Sequence, residues 1–186
     1  MKKYRFLTFI FDVPVVALFS LYIIYQFNKG ETNTLRGFII AAIFIGIIPL
    51  LAWTHLLKHP GDYNGERKIS FIIDALSYPI GFILLIVSKS DKIFIALGLS
   101  YLLNVIFLFT VNKFVYKVSG HSSGIAGPAT ALTIINGYKG MLAFLLLIPV
   151  YISKIKLDDH TFMQLAVGGI TSILITCMSF AVVGIL

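Results

Sequence analysis

Two short polar segments, each with one histidine, interrupt a chain that is otherwise largely apolar. The first, KVSGHSSG, covers residues 117–124 and places His121 directly after Ser119 and Gly120. The second, SKIKLDDHTFMQ, covers residues 153–164 and contains His160. An imidazole ring can act as a nucleophile or as a general acid or base near neutral pH. These two segments are therefore the first candidates for a reactive site.

The residues beside both histidines suit a negatively charged ligand. Ser119 and Gly120 lie where a helix is predicted to begin, so free backbone N–H groups and the positive end of the helix dipole would face the loop. Lys154 precedes His160 by six residues. Gln164 follows it by four, which places both side chains on one face of a predicted helix. We expect the two histidines to enter one anion-binding pocket.

The composition predicts an integral membrane protein. Of 186 residues, 58% are hydrophobic and 12% are charged, and the mean hydropathy is +0.94. These values exceed what a soluble domain of this length can bury. Hydropathy predicts spans at about 6–27, 37–57, 70–88, 93–114, 122–137, 140–154 and 161–185. The predicted fold class is all-α, a polytopic membrane helical bundle of about six to seven transmembrane helices, in a single transmembrane domain over residues 1–186.

Two local patterns predict how these helices connect and pack. The short break at residues 137–139 indicates a tight helical hairpin between the fifth and sixth spans. The small residues of GIAGPAT, residues 124–130, are typical of close helix packing. Asp12 and Pro14 interrupt the first apolar segment, which we interpret as an uncleaved first helix rather than a signal peptide. Asp12 has no role assigned by the sequence.

The distribution of cations predicts the orientation in the membrane. Seven spans would bring the N-terminus and both histidine segments to one face. That face holds ten Lys and Arg residues, against five on the other, so the positive-inside rule predicts that it is cytoplasmic in the cell membrane. The ten are Lys2, Lys3, Arg5, Lys58, Arg67, Lys68, Lys113, Lys117, Lys154 and Lys156, and the five are Lys29, Arg36, Lys89, Lys92 and Lys139.

Charge and cysteine content restrict the partners. The chain has 15 Lys and Arg against 8 Asp and Glu, a formal net charge of +7. With so little polar surface, this excess suits anionic lipid or phosphate rather than nucleic acid. The one cysteine, Cys177, lies in an apolar segment, so neither a disulfide framework nor a cysteine metal site is expected. The predicted partners are the bilayer and a phosphorylated membrane lipid, with no nucleic acid.

At the two histidine segments the chain resembles the type 2 phosphatidic acid phosphatase (PAP2) superfamily of membrane lipid phosphatases. The signature of that family is K-x6-R-P, then P-S-G-H, then S-R-x5-H-x3-D. The second motif appears here at residues 118–121, with Val118 in the Pro position. The third appears at residues 153–164 with its spacing intact, with Lys154 for Arg and Gln164 for Asp.

The first motif matches least well. Arg67 is followed by Lys68 where the family has Pro, and Lys58 lies nine residues before Arg67 instead of seven. The order of the motifs and their common face agree with the family. The resemblance implies a PAP2-like catalytic core over residues 58–186, preceded by N-terminal helices in residues 1–57.

The resemblance implies a metal-independent hydrolase without a cofactor. Its substrate would be a lipid phosphate or an isoprenoid (di)phosphate, and the phosphoryl group would pass to an enzyme histidine before hydrolysis. His160 would be the nucleophile, oriented by Gln164, and His121 would be the general acid. The substrate phosphate would be bound by Arg67, Lys68, Lys154, Ser119, Gly120 and Lys58.

The departures from the motifs leave alternatives. Gln164 can fix the tautomer of His160 but cannot supply the negative charge of an Asp. Asp158 or Asp159 could supply that charge, although Asp159 is equally typical of a helix N-cap. The alternative function is a non-catalytic membrane protein that binds or carries phosphorylated lipid. A CDP-alcohol phosphotransferase is disfavoured because the Asp-rich metal motif is absent.

Some of these residues also have purely structural interpretations. Both His121 and His160 could be ordinary interfacial histidines. An acidic side chain inside a span is costly, so we expect Asp74 to form a structural ion pair with Arg67.

Overall fold

The computed structural model describes residues 2–186, and this part of the chain is helical, with no strand. The all-α prediction is confirmed. The helices are α1 (Lys2–Ile10), α2 (Val13–Asn28), α3 (Thr32–Lys58), α4 (Tyr63–Val87), α5 (Lys92–Phe114), α6 (Gly120–Asn136), α7 (Tyr138–Lys156) and α8 (Phe162–Val182). Each of the seven apolar segments of the sequence contributes to one of these helices or, at the N-terminus, to the pair α1 and α2.

The lengths of these helices are those of a multi-pass membrane protein. In the described chain, α3, α4, α5, α7 and α8 are each long and apolar enough to cross a membrane. Helices α1 and α2, bent by 40° at their junction, pass the same test together. The 17 residues of α6 correspond to about 26 Å, slightly less than the ~30 Å of a hydrocarbon core. The predicted number of six to seven spans stays a prediction.

The bundle is apolar outside and partly polar inside, as a bilayer requires. Large apolar side chains such as Phe19, Ile72 and Leu174 are more than half exposed. In contrast, Ser100 and Thr176 are buried and their hydroxyl oxygens lie 2.8 Å apart. Hydrogen bonds of this kind hold neighbouring helices together where the lipid provides no hydrophobic driving force.

Helix α6 lies at the centre, packed against α2 and α8. Glycines make these contacts close: a Cβ atom at Gly124 would overlap Val13, and one at Gly168 would overlap the Ser119 carbonyl. At Gly127 an added Cβ would lie 2.9 Å from the Ser172 Oγ atom. The close packing predicted from the small residues of segment 124–130 is confirmed, and it places the start of α6 directly against the start of α8.

The predicted helical hairpin is also confirmed. Gly137 alone separates α6 from α7, and its φ of +60° lies in the left-handed region that favours glycine. Gly140 then packs on the backbone of Leu132. The hairpin returns the chain to the end of the bundle where α6 began, which brings residues 153–160 back to residues 117–121.

Candidate functional site

A cavity of about 440 Å³ lies between the helices at the end of the bundle that carries both histidines. Its outer part is lined by residues, most of them charged or polar, from five helices and three connecting segments. These are Arg5, Asp12, Trp53, Glu66, Arg67, Lys117, Gly120, His121, Lys154, Asp158, Asp159 and His160. The structure therefore brings His121 and His160, which are 39 residues apart in the sequence, to one cavity.

His160 is held in one tautomer by the start of α8. Thr161 caps this helix: its side chain accepts a hydrogen bond from the Gln164 N–H, and its own N–H donates to Gln164 Oε1 at 3.1 Å. Because a backbone N–H can only donate, that atom of Gln164 must be the amide oxygen. His160 Nδ1 lies 3.1 Å from the same oxygen and so carries the proton. The lone pair of the neutral ring is then on Nε2.

The surroundings of His160 also keep its ring neutral. The residue is only 8% exposed. Burial lowers the pKa of His160 to about 4, the nearby cations Lys117, Arg67 and Lys154 act in the same direction, and the hydrogen bond to Gln164 acts against them. At neutral pH the imidazole is therefore an uncharged base with one free nitrogen, which is the form that a nucleophile requires.

His121 has an acidic partner, Asp12, to which the sequence assigns no role. Its Nε2 atom lies 3.3 Å from Asp12 Oδ1, and Trp53 Nε1 donates to Asp12 Oδ2 at 2.7 Å. Asp12 also accepts from the N–H of Val13 and so caps α2. The carboxylate can compensate the positive charge of a doubly protonated His121 ring. The sequence did contain one indication of this contact. Asp12 is an acidic residue within an apolar segment, and such residues usually face a partner or a cavity.

The cations of the site differ in their partners. Lys154 Nζ lies 3.2 Å from Asp159 Oδ2, and Lys117 Nζ donates to the Asp159 carbonyl at 2.7 Å. Arg67 lines the cavity and takes part in none of the ion pairs formed within residues 2–186; its guanidinium lies 5.9 Å from the ring of Phe71. Of the predicted phosphate ligands, Arg67 and Lys154 thus reach the cavity, with the guanidinium of Arg67 available to an anion.

The other predicted phosphate ligands occupy different positions. Gly120 lines the cavity at the first turn of α6. Ser119 is fully buried: its N–H donates to the Gln164 carbonyl at 3.2 Å and its hydroxyl accepts from Ser122 N–H. Lys58 and Lys68 are exposed and are not among the residues that line the cavity. Of the six predicted phosphate ligands, the structure therefore brings Arg67, Lys154 and Gly120 to the cavity.

One alternative for Asp159 is excluded, and the expected ion pair of Asp74 is wrong. Asp159 does not cap α8, because Thr161 takes that position and the Asp159 carboxylate contacts Lys154. Asp74 does not pair with Arg67: within residues 2–186 its Oδ1 atom is buried without a hydrogen-bond partner. The seven-residue separation on α4 sets their backbones about 10 Å apart along the helix axis, so the carboxyl lies deeper in the bundle than the guanidinium.

No protein-family model, curated protein or solved structure matches this chain. Within residues 2–186, no group of three or more His, Cys, Asp and Glu side chains is arranged to hold a metal ion.

The two histidines differ in the chemistry that their contacts favour. His160 is neutral, with Nδ1 occupied and a lone pair on Nε2. His121 contacts the Asp12 carboxylate, which stabilises a positive charge on the ring whenever the ring takes up a second proton. A neutral imidazole and an imidazole paired with a carboxylate line one cavity together with Arg67 and Lys154, and groups of these kinds are the ones used in phosphoryl transfer.

Proposed function

We propose that this protein is an integral membrane phosphatase of the PAP2 type that hydrolyses a lipid phosphate or an isoprenoid (di)phosphate. The observation that carries the proposal is the fixed tautomer of His160, a residue that lines the same cavity as the pair formed by His121 and Asp12. The resemblance of the motifs supports it independently, since both histidines lie at the positions that the family uses.

The reaction proceeds in two steps. His160 Nε2 attacks phosphorus, the bond from phosphorus to the lipid oxygen breaks, and His121 gives its proton to that oxygen. Water then attacks the phosphohistidine, His121 takes a proton from the water, and the N–P bond breaks. Inorganic phosphate leaves and His160 returns to its neutral form, so no cofactor is consumed.

Positive groups around the cavity would stabilise the phosphoryl group in the transition state of its transfer. Arg67 and Lys154 supply charge, and the first turn of α6 at Gly120 supplies N–H groups and the positive end of a helix dipole. Stabilisation of the equatorial oxygens provides most of the catalysis in phosphoryl transfer. Asp159 holds Lys154 until a phosphate competes for it.

Because side chains and backbone provide this charge, phosphate release should persist in excess EDTA. The test is an assay of the purified protein in detergent with phosphatidic acid, phosphatidylglycerophosphate and isoprenyl diphosphates. Release that appears only after Mg²⁺ is added would contradict the mechanism. A protein that binds these lipids yet releases no phosphate would instead be the non-catalytic lipid-phosphate binder, the second interpretation of the sequence.

The pH dependence of the reaction should report on His160. A protonated ring cannot attack, so a pKa of about 4 predicts that kcat/KM falls on the acid side only near pH 4. In Gln164→Asp, a carboxylate beside Nδ1 favours the charged ring. The acid limb of the pH profile, where kcat/KM falls, should therefore move up by about one pH unit or more. The value of kcat at neutral pH should also rise, because the carboxylate stabilises the developing imidazolium. An acid limb that does not move would show that His160 is not the titrating group.

We also place the cavity face on the cytoplasmic side of the cell membrane, from the ten cations near this face against five near the other. In a Cys177→Ser background, a cysteine at Asn64 should react only with reagents that reach the cytoplasm. Labelling from outside intact cells would reverse this orientation.

A further inference from the structure

The cavity continues inward from the two histidines into a polar region. We call this region the inner pocket and define it by Asp74, Tyr78, Ser100, Tyr101, Asn104 and Ser123, all of which line the cavity. Asp74 and Tyr78 lie one turn apart on α4, and the ring of Tyr101 on α5 packs edge-on against that of Tyr78 at 5.4 Å. Polar groups at this depth of a membrane bundle are costly and usually serve a function.

Most of the inner pocket is satisfied within the protein, but two groups are not. Ser100 bonds to Thr176, and Ser123 donates to Asn104 Oδ1 at 2.9 Å. Within residues 2–186, Asp74 Oδ1 and the Tyr101 hydroxyl are buried and have no hydrogen-bond partner. Such groups lose their hydration without compensation, so they are expected where a ligand completes the hydrogen bonding.

The depth of Asp74 and Tyr101 in the bundle determines which part of a ligand can contact them. Asp74 is seven residues beyond Arg67 on α4, about 10 Å further along the helix axis. A phosphate at Arg67 and His160 would therefore leave the inner pocket to a more distant part of the same molecule. A plain hydrocarbon chain would leave both polar groups unpaired.

From these contacts we infer that the inner pocket binds a hydroxyl group on the lipid chain of the substrate, so that the preferred substrates are hydroxylated lipid phosphates. The Oδ1 atom of Asp74 can accept a hydrogen bond, and a tyrosine hydroxyl can either donate or accept one. A hydroxyl on the ligand satisfies both, because it can donate to Asp74 and accept from Tyr101. The inference rests on the proposed function for the place of the phosphate.

Binding is best measured without turnover. Single-chain alkyl phosphonates of equal length have a C–P bond that is not hydrolysed, and one hydroxyl can be moved along the chain. Trp53 is the only tryptophan and lines the cavity, so its fluorescence reports occupancy. The phosphonate with the hydroxyl at the best position should bind at least about tenfold more tightly than the unsubstituted one.

Two variants connect that preference to the inner pocket. In Tyr101→Phe and in Asp74→Leu, which has no hydrogen-bond acceptor, the tenfold preference should fall to about twofold, while binding of the unsubstituted phosphonate is not weakened. Tyr101→Phe removes only an unpartnered oxygen, so its unfolding temperature should not fall. Tyr25→Phe is the matched control, because Tyr25 stacks on Phe38 away from the cavity and its loss should not change the preference.

The outcomes separate this inference from the proposed function. Equal binding of all phosphonates, together with phosphate release from lipid phosphates, overturns the inference and leaves the phosphatase standing. A hydroxyl preference that disappears in Tyr101→Phe, without phosphate release from any lipid, supports the inner pocket and overturns catalysis. Failure of every phosphonate to bind overturns the inference.

Discussion

Replacement of His160 by alanine should abolish phosphate release while the protein still binds lipid phosphate. The side chain provides the nitrogen that attacks phosphorus, and loss of a nucleophile in a covalent mechanism lowers kcat by about 10⁴-fold or more. Arg67, Lys154 and the start of α6 remain, so the dissociation constant should be nearly unchanged. Phosphate release and Trp53 fluorescence measure the two quantities separately.

The covalent intermediate gives this prediction a second readout. Rapid quenching of the wild type should trap a phosphoryl group on His160, detectable by mass spectrometry, and His160→Ala should trap none. His59→Ala is the control, because His59 is an exposed histidine near the same end of the bundle that does not line the cavity. A phosphorylated residue other than His160, or near-normal turnover by His160→Ala, would contradict the assignment.

Loss of His121 should affect turnover in proportion to the basicity of the leaving group. For a lipid alcohol, which must be protonated as it leaves, His121→Ala should lower kcat by about 10²–10⁴-fold. For p-nitrophenyl phosphate, whose leaving oxygen needs no proton, the loss should be far smaller. Equal losses on both substrates would show that His121 binds or positions the substrate instead of donating a proton.

Asp12 should act through His121 and show the same pattern in weaker form. Asp12→Asn keeps the shape of the side chain but removes the charge that lies 3.3 Å from the His121 ring. Turnover of the lipid alcohol ester should fall more than that of p-nitrophenyl phosphate. Asp62→Asn is a matched control, since Asp62 contacts His55 at 2.9 Å at the surface and neither residue lines the cavity.

Local patterns in the sequence predicted the helical architecture well. Hydropathy located the apolar segments, because a bilayer demands a run of apolar residues whatever the neighbouring helices are. The Gly137 break and the close packing of segment 124–130 follow from the special backbone and small size of the residues involved. The pairing of His160 with Gln164 is also local, since residues four apart share a helix face.

Contacts between distant segments escaped prediction. Asp12 and His121 are 109 residues apart, and no local rule brings α2 to the start of α6. The start of a helix would leave the Ser119 N–H free, but α6 and α8 pack so closely that this N–H donates to the Gln164 carbonyl. The expected pair of Asp74 with Arg67 failed because charge complementarity alone ignores the depth of each residue in the bundle.

The hydrogen bond from the Ser119 N–H to the Gln164 carbonyl has a dynamic consequence. It joins the backbone before His121 to the helix turn that orients His160, and Lys117 bridges the same two loops through the Asp159 carbonyl. We therefore expect segments 117–121 and 159–164 to unfold locally as one cooperative unit. Transient opening of such a unit would displace both histidines together instead of exposing one of them alone.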